Sequence, residues 1–381
     1  RNAKTLRREQ LEERAKDAAY ANETTKEVEL KNMMHREDMR NMHKSVKRDL
    51  KDDYRSNVYF VEVPKDGLPP RQSKEWKQIR DKDEMYKEIL EYLEKHYSMV
   101  KETPFGSGLR AQHAGGTGAG PTAQAILEGK YNYQLAELHS EAIHFLKSVK
   151  TPKGPPISIT ITLLQARHCY RKWRESTSTS PSGRHLGHYV ALAKTADLLL
   201  PIVHIMNIAL KHGITIPRWH QSTMCMIEKD VGRPKLHRLR LIHLFEADLN
   251  GIAKILWGRR SIYHALEHNR ISPNQHGGIP GRETQHVLLK FRLTADSAVI
   301  MRNILALHNN DAMACYDRIL QFINGIIQQS NGMPASAVEM QGQCLLNMAY
   351  SVKTAHGSST QAWANSTEDQ KAVLGQGNGW S

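Results

Sequence analysis

The sequence predicts an α+β fold, and three kinds of pattern support this prediction. Residues 58–64 are rich in β-branched and aromatic residues and end at turn formers, which is typical of a strand. Residues 81–97 carry apolar residues at helical spacing, with Ile89 and Leu93 on one face. Beyond Ile157, helical stretches alternate with short strands that are separated by Gly, Pro and Ser turns. Such a mixture indicates a layered α+β or α/β class.

Three regions are predicted along the chain. Residues 1–57 are dense in charges of both signs, which suits an exposed helical extension or a disordered arm. Residues 58–156 form an accessory, mostly helical region with a Gly-rich stretch at 106–121. That stretch follows no strand and lacks a Gly-Lys-Ser/Thr ending, so a flexible linker is favoured over a phosphate-binding loop. Residues 157–381 form the third region.

The charge balance favours a polyanionic partner. Lys and Arg number 53 against 39 Asp and Glu, a formal net charge of +14. Cations placed on phosphates release condensed counterions, so nucleic acid is the expected partner, with a merely basic soluble protein as the alternative. The four cysteines are widely spaced and form no CxxC pair. This argues against a disulfide framework or a zinc site and predicts an intracellular protein of the nucleus or cytoplasm.

No membrane partner is predicted. The longest apolar stretch without a formal charge, residues 198–210, is shorter than the roughly 18 residues that a spanning helix needs. It is interpreted as a buried helix that ends with Gly213 as its C-cap.

A candidate metal site follows the apolar residues 298–307, which predict a buried strand. Asp311 comes soon after that strand, and Asp317 lies six positions further on. Carboxylates at a strand end suit Mg²⁺, and phosphoryl transfer with two metal ions needs several of them. Alternatively, Asp311 caps the next helix and Asp317 lies on its surface.

Residues 374–381 contain three glycines, at 375, 377 and 379. Without side chains there, the backbone could approach a nucleic-acid strand or a nucleotide closely. An ordinary flexible loop is the alternative.

A basic hairpin is predicted from strands at residues 224–227 and 239–244. The predicted turn contains the cations Lys229, Arg233, Lys235 and Arg238. Alternation along the second strand predicts that Arg238 and Arg240 share one face. Paired guanidinium groups could grip a triphosphate by bidentate hydrogen bonds, whereas a salt-bridged sheet edge is the alternative.

Taken in order, these motifs resemble those of reverse transcriptases, most closely the non-LTR retrotransposon type. Residues 173–189 are similar to the pattern W-x-E-x-T-S-T-S-P-S-G-x-H-x-G-H-Y, and Pro217, Trp219 and Lys229 are similar to a proline-tryptophan-lysine stretch of the family. Residues 240–250 resemble R-x-I…D-x-N. Three further patterns complete the order: Q-x-G-x-x-x-G-R at 275–282, DxxxxYD at 311–317 and GQGxxxS at 375–381.

The resemblance implies a metal centre that binds two Mg²⁺ ions in the full-length parent. Asp311 matches the first metal-binding and catalytic Asp, and the Ala312 carbonyl lies where the family offers a backbone oxygen. Asp317 matches a second Asp that is usually structural. Lys229 and Arg282 match positions with secondary or structural roles.

The resemblance also implies a nucleotide site. Arg240, with Arg238 beside it, matches the fingers arginine near the incoming triphosphate. Tyr316 matches the aromatic gate below the sugar, whose ring excludes a 2′-OH. Gln376 and Gly377 match the motif that contacts the template and the nucleotide pocket. The implied partners are an RNA template, a DNA primer and dNTP.

The implied fold is the fingers and partial palm of a right-hand polymerase, an antiparallel sheet with packed helices, preceded by a mostly helical extension. The F/Y-x-D-D motif of the family does not occur in the sequence. Both ends read as cut, so the chain is interpreted as a fragment. Without that motif, Asp311 alone does not supply enough carboxylates for two metal ions, and the fragment is expected to be inactive alone. The alternative is a non-catalytic, basic nucleic-acid-binding protein or the remnant of a decayed element. A helical scaffold, suggested by residues 1–150, leaves the later motifs unexplained.

Overall fold

The computed structural model describes most of the chain beyond residue 57 and a few stretches before it. The described residues are 10–15, 17–18, 25–35, 38, 58–66, 68, 70, 72–98, 103–105, 116–135, 138–152, 154–173, 180–229, 232–306 and 319–364. By their internal contacts, Arg1–Arg55 and Arg174–Ser178 form one unit, and the rest of the chain forms a second unit. Each unit has an apolar cluster of its own.

The N-terminal unit is helical where it is described, at residues 10–15, 17–18, 25–35 and 38. Small and aliphatic side chains form its buried cluster, namely Leu11, Ala15, Ala18 and Leu30. Helix is one of the two forms predicted for this charged region, and the described residues adopt it.

The second unit begins with a two-stranded antiparallel sheet and a helix. The elements are β1 (Val61–Pro64), β2 (Trp76–Ile79) and α1 (Lys82–Tyr97). The Asp81 side chain caps α1 by accepting hydrogen bonds from two backbone N–H groups in its first turn. Ile89 and Leu93 are fully buried. The predicted strand and the predicted helix are therefore both confirmed.

Five short or medium α-helices follow in the described part of the chain. They are α2 (Pro121–Leu127), α3 (Ser140–Ser148), α4 (Leu163–Tyr170), α5 (Leu186–Leu192) and α6 (Ala196–His212). Gly213 ends α6 in the left-handed region, at φ 68°, as the sequence predicts. The helix is only half buried, however, because Met206 lies in the core while Leu198 and Ile208 are more than half exposed.

The remaining elements build the main sheet and the helices around it. They are β3 (Gln221–Glu228), β4 (Leu239–Leu244), α7 (Ala247–Ile255), a π-helical turn (Leu256–Ser261), α8 (Ile262–Glu267), α9 (Thr284–Ile300), α10 (Gln321–Ser330), α11 (Ala335–Leu346), β5 (Ala349–Thr354) and β6 (Gly357–Ala364). These elements confirm the α+β class.

The main sheet has the strand order β4-β3-β5-β6 in the described part of the chain. Strands β3 and β4 form the predicted antiparallel hairpin, with Cys225 opposite Ile242. Strand β5 runs parallel to β3, with Lys353 opposite Cys225. The expectation of an antiparallel sheet is therefore wrong, because a parallel pair lies at its centre.

The core joins residues from both predicted regions of this unit. Val61 and Ile89 belong to the same buried cluster as Met224 and Tyr350. The boundary predicted near residue 157 stays a prediction, although side chains on its two sides pack together.

The described part of the Gly-rich stretch, residues 116–121, is packed against the fold and opens α2 at Pro121, so it is not a flexible linker. Thr117 is buried between α10 and α11, where its hydroxyl hydrogen bonds to the Glu339 carboxylate. Gly118 (φ 79°) crosses α10 at Gly325, and a Cβ on Gly325 would lie 2.1 Å from the Thr117 carbonyl oxygen. The glycines therefore permit a close backbone crossing.

The strand predicted over residues 298–307 is also wrong where the structure describes it. Helix α9 continues to Ile300, and none of its residues is buried. Val299 is 77% exposed and Ile304 is fully exposed. The apolar run could not be assigned from its composition alone, because a short apolar run suits a helix as well as a strand.

Within the described residues, no single helix is long and apolar enough to cross a membrane. Only together do α5 and α6 reach such a length and composition, and the two helices are bent by 116° at the break between them.

Candidate nucleic-acid interface

The β3–β4 connection carries most of the cations that the sequence analysis singled out. Lys229, Arg233 and Arg238 are exposed there, and Arg240 is exposed on β4. Arg238 belongs to a short 3₁₀ turn, Leu236–Arg238, and β4 begins after it. The prediction that Arg238 and Arg240 share one face of the second strand is therefore wrong, because the strand begins at Leu239, one residue after Arg238.

Contacts with the β1–β2 sheet fix the part of this connection that directly precedes β4. The Glu62 backbone N–H donates to the Pro234 carbonyl oxygen at 3.0 Å. The Lys235 ammonium group lies 3.9 Å from the centroid of the Trp76 ring, and the His237 ring stacks on the same indole at 5.5 Å. The basic connection is therefore anchored through β1 and β2.

One face of the main sheet combines two cations with small and aliphatic side chains. This surface, here called the Arg240 face, consists of Arg240, Ile227, Cys225, Ile242 and Lys353. Arg240 and Ile227 are exposed, and the other three are half-buried. Neither Arg240 nor Lys353 forms an ion pair with any described residue. Both cations are therefore available to an anionic ligand.

The opposite face of the sheet is buried and fixes the strands. Tyr350 stacks on Trp363 at 4.5 Å between ring centroids. From α1, the Tyr86 hydroxyl lies 3.1 Å from the Thr354 hydroxyl, and the Tyr97 hydroxyl lies 3.3 Å from His243 Nε2. With one face packed on α1, the sheet presents the Arg240 face on its other side.

A buried ionic network lies at the base of the hairpin. Arg218 Nη1 donates to Asp248 Oδ1 at 2.8 Å and to Glu246 Oε2 at 3.4 Å. The Arg218 Nη2 group also hydrogen bonds to Asp248, and Trp219 Nε1 donates to Asp248 Oδ1 at 3.0 Å. Both carboxylates are fully buried. Glu246 and Asp248 directly follow β4, so the network fixes the end of that strand.

A third chain segment completes the network. Ser182 donates from its backbone N–H and its hydroxyl to Glu246, at 2.8 and 3.0 Å. The Ala247 N–H donates to the Ser180 hydroxyl oxygen at 3.1 Å. Three chain segments, around Ser182, Trp219 and Asp248, therefore meet at one point. Because the carboxylates outnumber the guanidinium, the neutral donors supply the remaining hydrogen bonds.

The charges of the network perturb the groups around it. Burial lowers the pKa of Arg218, but the hydrogen bond and charge of Asp248 outweigh burial and raise the net pKa. Burial, and then the charge of Asp248, raises the pKa of Tyr170 well above its ordinary value, and the same causes raise the pKa of Tyr189. The guanidinium therefore stays charged and the phenols stay neutral.

Arg282 stabilises the loop in front of α9. Its guanidinium donates to the carbonyl oxygens of Ser272, Pro273 and Gln275. The Gln275 side chain in turn donates to the Gly277 carbonyl oxygen at 3.0 Å. In this conformation, Arg282 binds its own loop.

Several predicted site residues lie outside the described residues. They are Asp311, Ala312, Tyr316, Asp317, Gln376 and Gly377. Among the described residues, no group of three or more His, Cys, Asp or Glu side chains could hold a metal ion.

Sequence reasoning missed Lys353 and the Arg218–Glu246 pair. A signal for Lys353 was present, because Ser351 and Lys353 alternate with the apolar Tyr350 and Val352. No comparable pattern marked Arg218, since its carboxylate partners lie beyond an intervening hairpin.

No model of a known protein family matches the chain, and a search of curated proteins finds no match.

Proposed function

We propose that this chain forms the fingers and part of the palm of an RNA-directed DNA polymerase of the non-LTR retrotransposon type. The observation that carries the proposal is that Ser182, Trp219 and Asp248 belong to one buried network. This network lies at the base of the β3–β4 hairpin, which carries Arg240. These residues belong to motifs that are distant in the sequence. Because the motifs meet in one network, they support the interpretation that they belong to one functional unit.

In the reaction proposed for the full-length parent, since this fragment is expected to be inactive alone, the 3′-hydroxyl of a DNA primer attacks the α-phosphate of a dNTP selected by an RNA template. A new P–O bond forms to the primer, and pyrophosphate leaves. Arg240 binds the triphosphate by bidentate hydrogen bonds. By the resemblance, Tyr316 would be the aromatic gate below the sugar, and Gln376 and Gly377 would contact the template and the nucleotide.

Asp311 and the Ala312 carbonyl would hold Mg²⁺, and Asp317 supports them. When bound, Mg²⁺ neutralises the charge that develops on the phosphates. The described residues contain no alternative metal cluster, so the proposal depends on Asp311.

A basic nucleic-acid-binding protein without catalysis is the second candidate. The net charge of +14 and the unpaired cations of the Arg240 face favour it equally. The two candidates differ in one property. A non-catalytic binding protein is not expected to bind a complementary dNTP more tightly than a non-complementary one.

The test therefore measures nucleotide selection. The full chain is mixed, in Mg²⁺ buffer, with a labelled 3′-deoxy DNA primer on a longer RNA template. We expect the dNTP complementary to the next template base to tighten the complex, and non-complementary dNTPs to have no effect. Arg240→Ala should weaken this effect by about tenfold, because a charge-assisted contact is lost. Arg167→Ala, which removes an exposed arginine from α4, is the matched control.

Equal effects of all dNTPs, or none at all, would contradict the polymerase proposal. In that case, binding with a steep salt dependence would leave the second candidate.

A further inference from the structure

Helix α9 (Thr284–Ile300) is apolar on two opposite sides, yet none of its residues is buried. Seven of its large apolar side chains are 43–80% exposed, namely Val287, Leu288, Leu289, Phe291, Leu293, Val299 and Ile300. A helix that is apolar around most of its surface is normally enclosed by other protein. The exposed side chains therefore indicate a surface that a protein partner covers.

The exposed apolar area of α9 is close to what one partner contributes to a protein interface. A fully exposed aliphatic or aromatic side chain presents roughly 60–120 Å² of apolar surface. At their observed exposures, the seven side chains together present roughly 250–500 Å². One partner of a standard interface contributes about 800 Å², of which slightly more than half is apolar. The area therefore suits a folded protein surface rather than a small ligand.

The apolar side chains of α9 form two stripes at helical spacing. Six residues share one side of the helix, here called the Phe291 face: Val287, Leu288, Phe291, Ala295, Ala298 and Val299. The opposite side carries Leu289, Leu293 and Ile300. Only the Phe291 face combines large side chains with small ones, because the half-buried Ala295 and Ala298 lie between its larger members. Such a face can receive large side chains from another helix.

The Phe291 face is complementary to itself in an antiparallel pair. A two-fold axis level with Leu293 places Phe291 beside Ala295 of a second copy. The same axis places Leu288 beside Ala298. Each large side chain thus meets a small one, which fills the space between the helices without a clash. Because a two-fold axis requires a surface that matches itself, this pattern favours a second copy as the partner.

The charged edge of the Phe291 face is also complementary to itself. Arg292 Nε lies 3.1 Å from Asp296 Oδ2 on this edge, and the two side chains are 76% and 48% exposed. In an antiparallel pair, this edge faces the same edge of the second copy. Arg292 is then offset by only about 3 Å along the axis from Asp296 of the second copy, and symmetry repeats the pair. The two edges therefore attract each other.

We propose that the Phe291 face binds the same face of a second copy of this chain, with the two α9 helices antiparallel. The net charge of +14 opposes association between copies, and a contact between single helices is small. The product is therefore a reversible dimer with a micromolar Kd. This surface is independent of the polymerase proposal, because it shares no residue with the proposed nucleotide site.

The test measures the mass of the full chain by sedimentation velocity at increasing concentration. About 0.3 M NaCl screens charges that are more than about 6 Å apart, which limits the repulsion between copies. We expect a monomer at low concentration and a dimer at high concentration. A monomer at every concentration, or growth beyond a dimer, would overturn the proposal.

Two matched variants of α9 locate the surface. Leu288→Gln changes the Phe291 face and Leu293→Gln changes the opposite side, and the two leucines are 62% and 60% exposed. We expect Leu288→Gln to raise the Kd of the dimer about tenfold or more, because both copies lose apolar contact. Leu293→Gln should leave the Kd unchanged, and equal Kd values for the two variants would contradict the proposed surface. Leu288→Gln should also keep the selection of the complementary dNTP, so failure here and failure of the polymerase proposal are distinguishable.

Exchanged charges test the antiparallel arrangement. Arg292→Asp makes the edge wholly acidic, and Asp296→Arg makes it wholly basic. Each variant alone should dimerise at least about threefold more weakly, because like charges then face each other. An equimolar mixture of the two variants should form the heterodimer in preference to either homodimer. A mixture without this preference would rule out the proposed pairing.

Discussion

Arg218 and Arg240 lie near opposite ends of the same hairpin, yet their surroundings give them different roles. The Arg218 side chain is 19% exposed and is bound by two buried carboxylates. Arg240 is exposed on the sheet and has no ion pair with a described residue. The residue type is the same, so the partners decide whether an arginine supports the fold or remains available to a ligand.

The largest expected effect comes from breaking the buried network. Asp248→Ala leaves Arg218 buried without its main partner and removes the acceptor of Trp219 Nε1. We expect the free energy of unfolding to fall by about 3–5 kcal/mol. Urea denaturation measures it. Asp296→Ala removes an exposed carboxylate that pairs with Arg292 and should change stability by less than about 1 kcal/mol. Equal losses in both variants would mean that the network contributes no special stability.

An arginine-to-lysine exchange at both positions sharpens the comparison. Arg218→Lys keeps the charge but cannot bind Asp248 through two nitrogens, so we expect a loss of about 1–3 kcal/mol. Arg240→Lys should change the free energy of unfolding by less than about 0.5 kcal/mol, as is usual for exposed residues. Thermal and urea unfolding of the two variants measure the difference. A larger loss for Arg240→Lys would reverse the assigned roles.

The smallest expected effect concerns Tyr170, which lies beside the network. Its buried hydroxyl has no described hydrogen-bond partner, so Tyr170→Phe should change stability near neutral pH by no more than about 1 kcal/mol. Burial raises the pKa of Tyr170 above the ordinary 10.0. Above pH 10, a tyrosine in the unfolded chain loses its proton more readily than the buried Tyr170. The contribution of Tyr170 to the free energy of unfolding is therefore complete below pH 10 and is lost as the pH rises further.

The variant should therefore lose less stability than the parent protein above pH 10. Urea midpoints at pH 8 and pH 10.5 check this difference. Parallel changes in both proteins would show that Tyr170 does not titrate differently from a tyrosine in the unfolded chain.

Local patterns predicted some elements well. The β3–β4 hairpin was readable because two short, largely apolar runs flank the turn residues Gly232-Arg233-Pro234. The end of α6 was readable because Gly213 adopts a conformation that suits glycine. These signals act over a few residues. Each element they predict is recognisable without knowledge of its neighbours.

Patterns that depend on distant partners could not be read in the same way. Thr117 and Gly118 look like linker residues, and only the presence of Gly325 turns them into a close crossing. Residues 298–300 are apolar enough for a strand but extend α9 instead. For the candidate site, the chain pattern identified the basic hairpin, whereas Lys353 joins the Arg240 face only through the pairing of β5 with β3.

The parallel pairing of β3 with β5 has a consequence for the order of folding. Thr223 and Ser351 are adjacent across this pair although 128 positions separate them in the chain. During synthesis, the hairpin therefore leaves the ribosome long before its neighbouring strand. Such long-range pairing slows folding, and an unpaired inner edge invites association with other chains. We expect nascent chains that end before β5 to need a chaperone more than longer ones do.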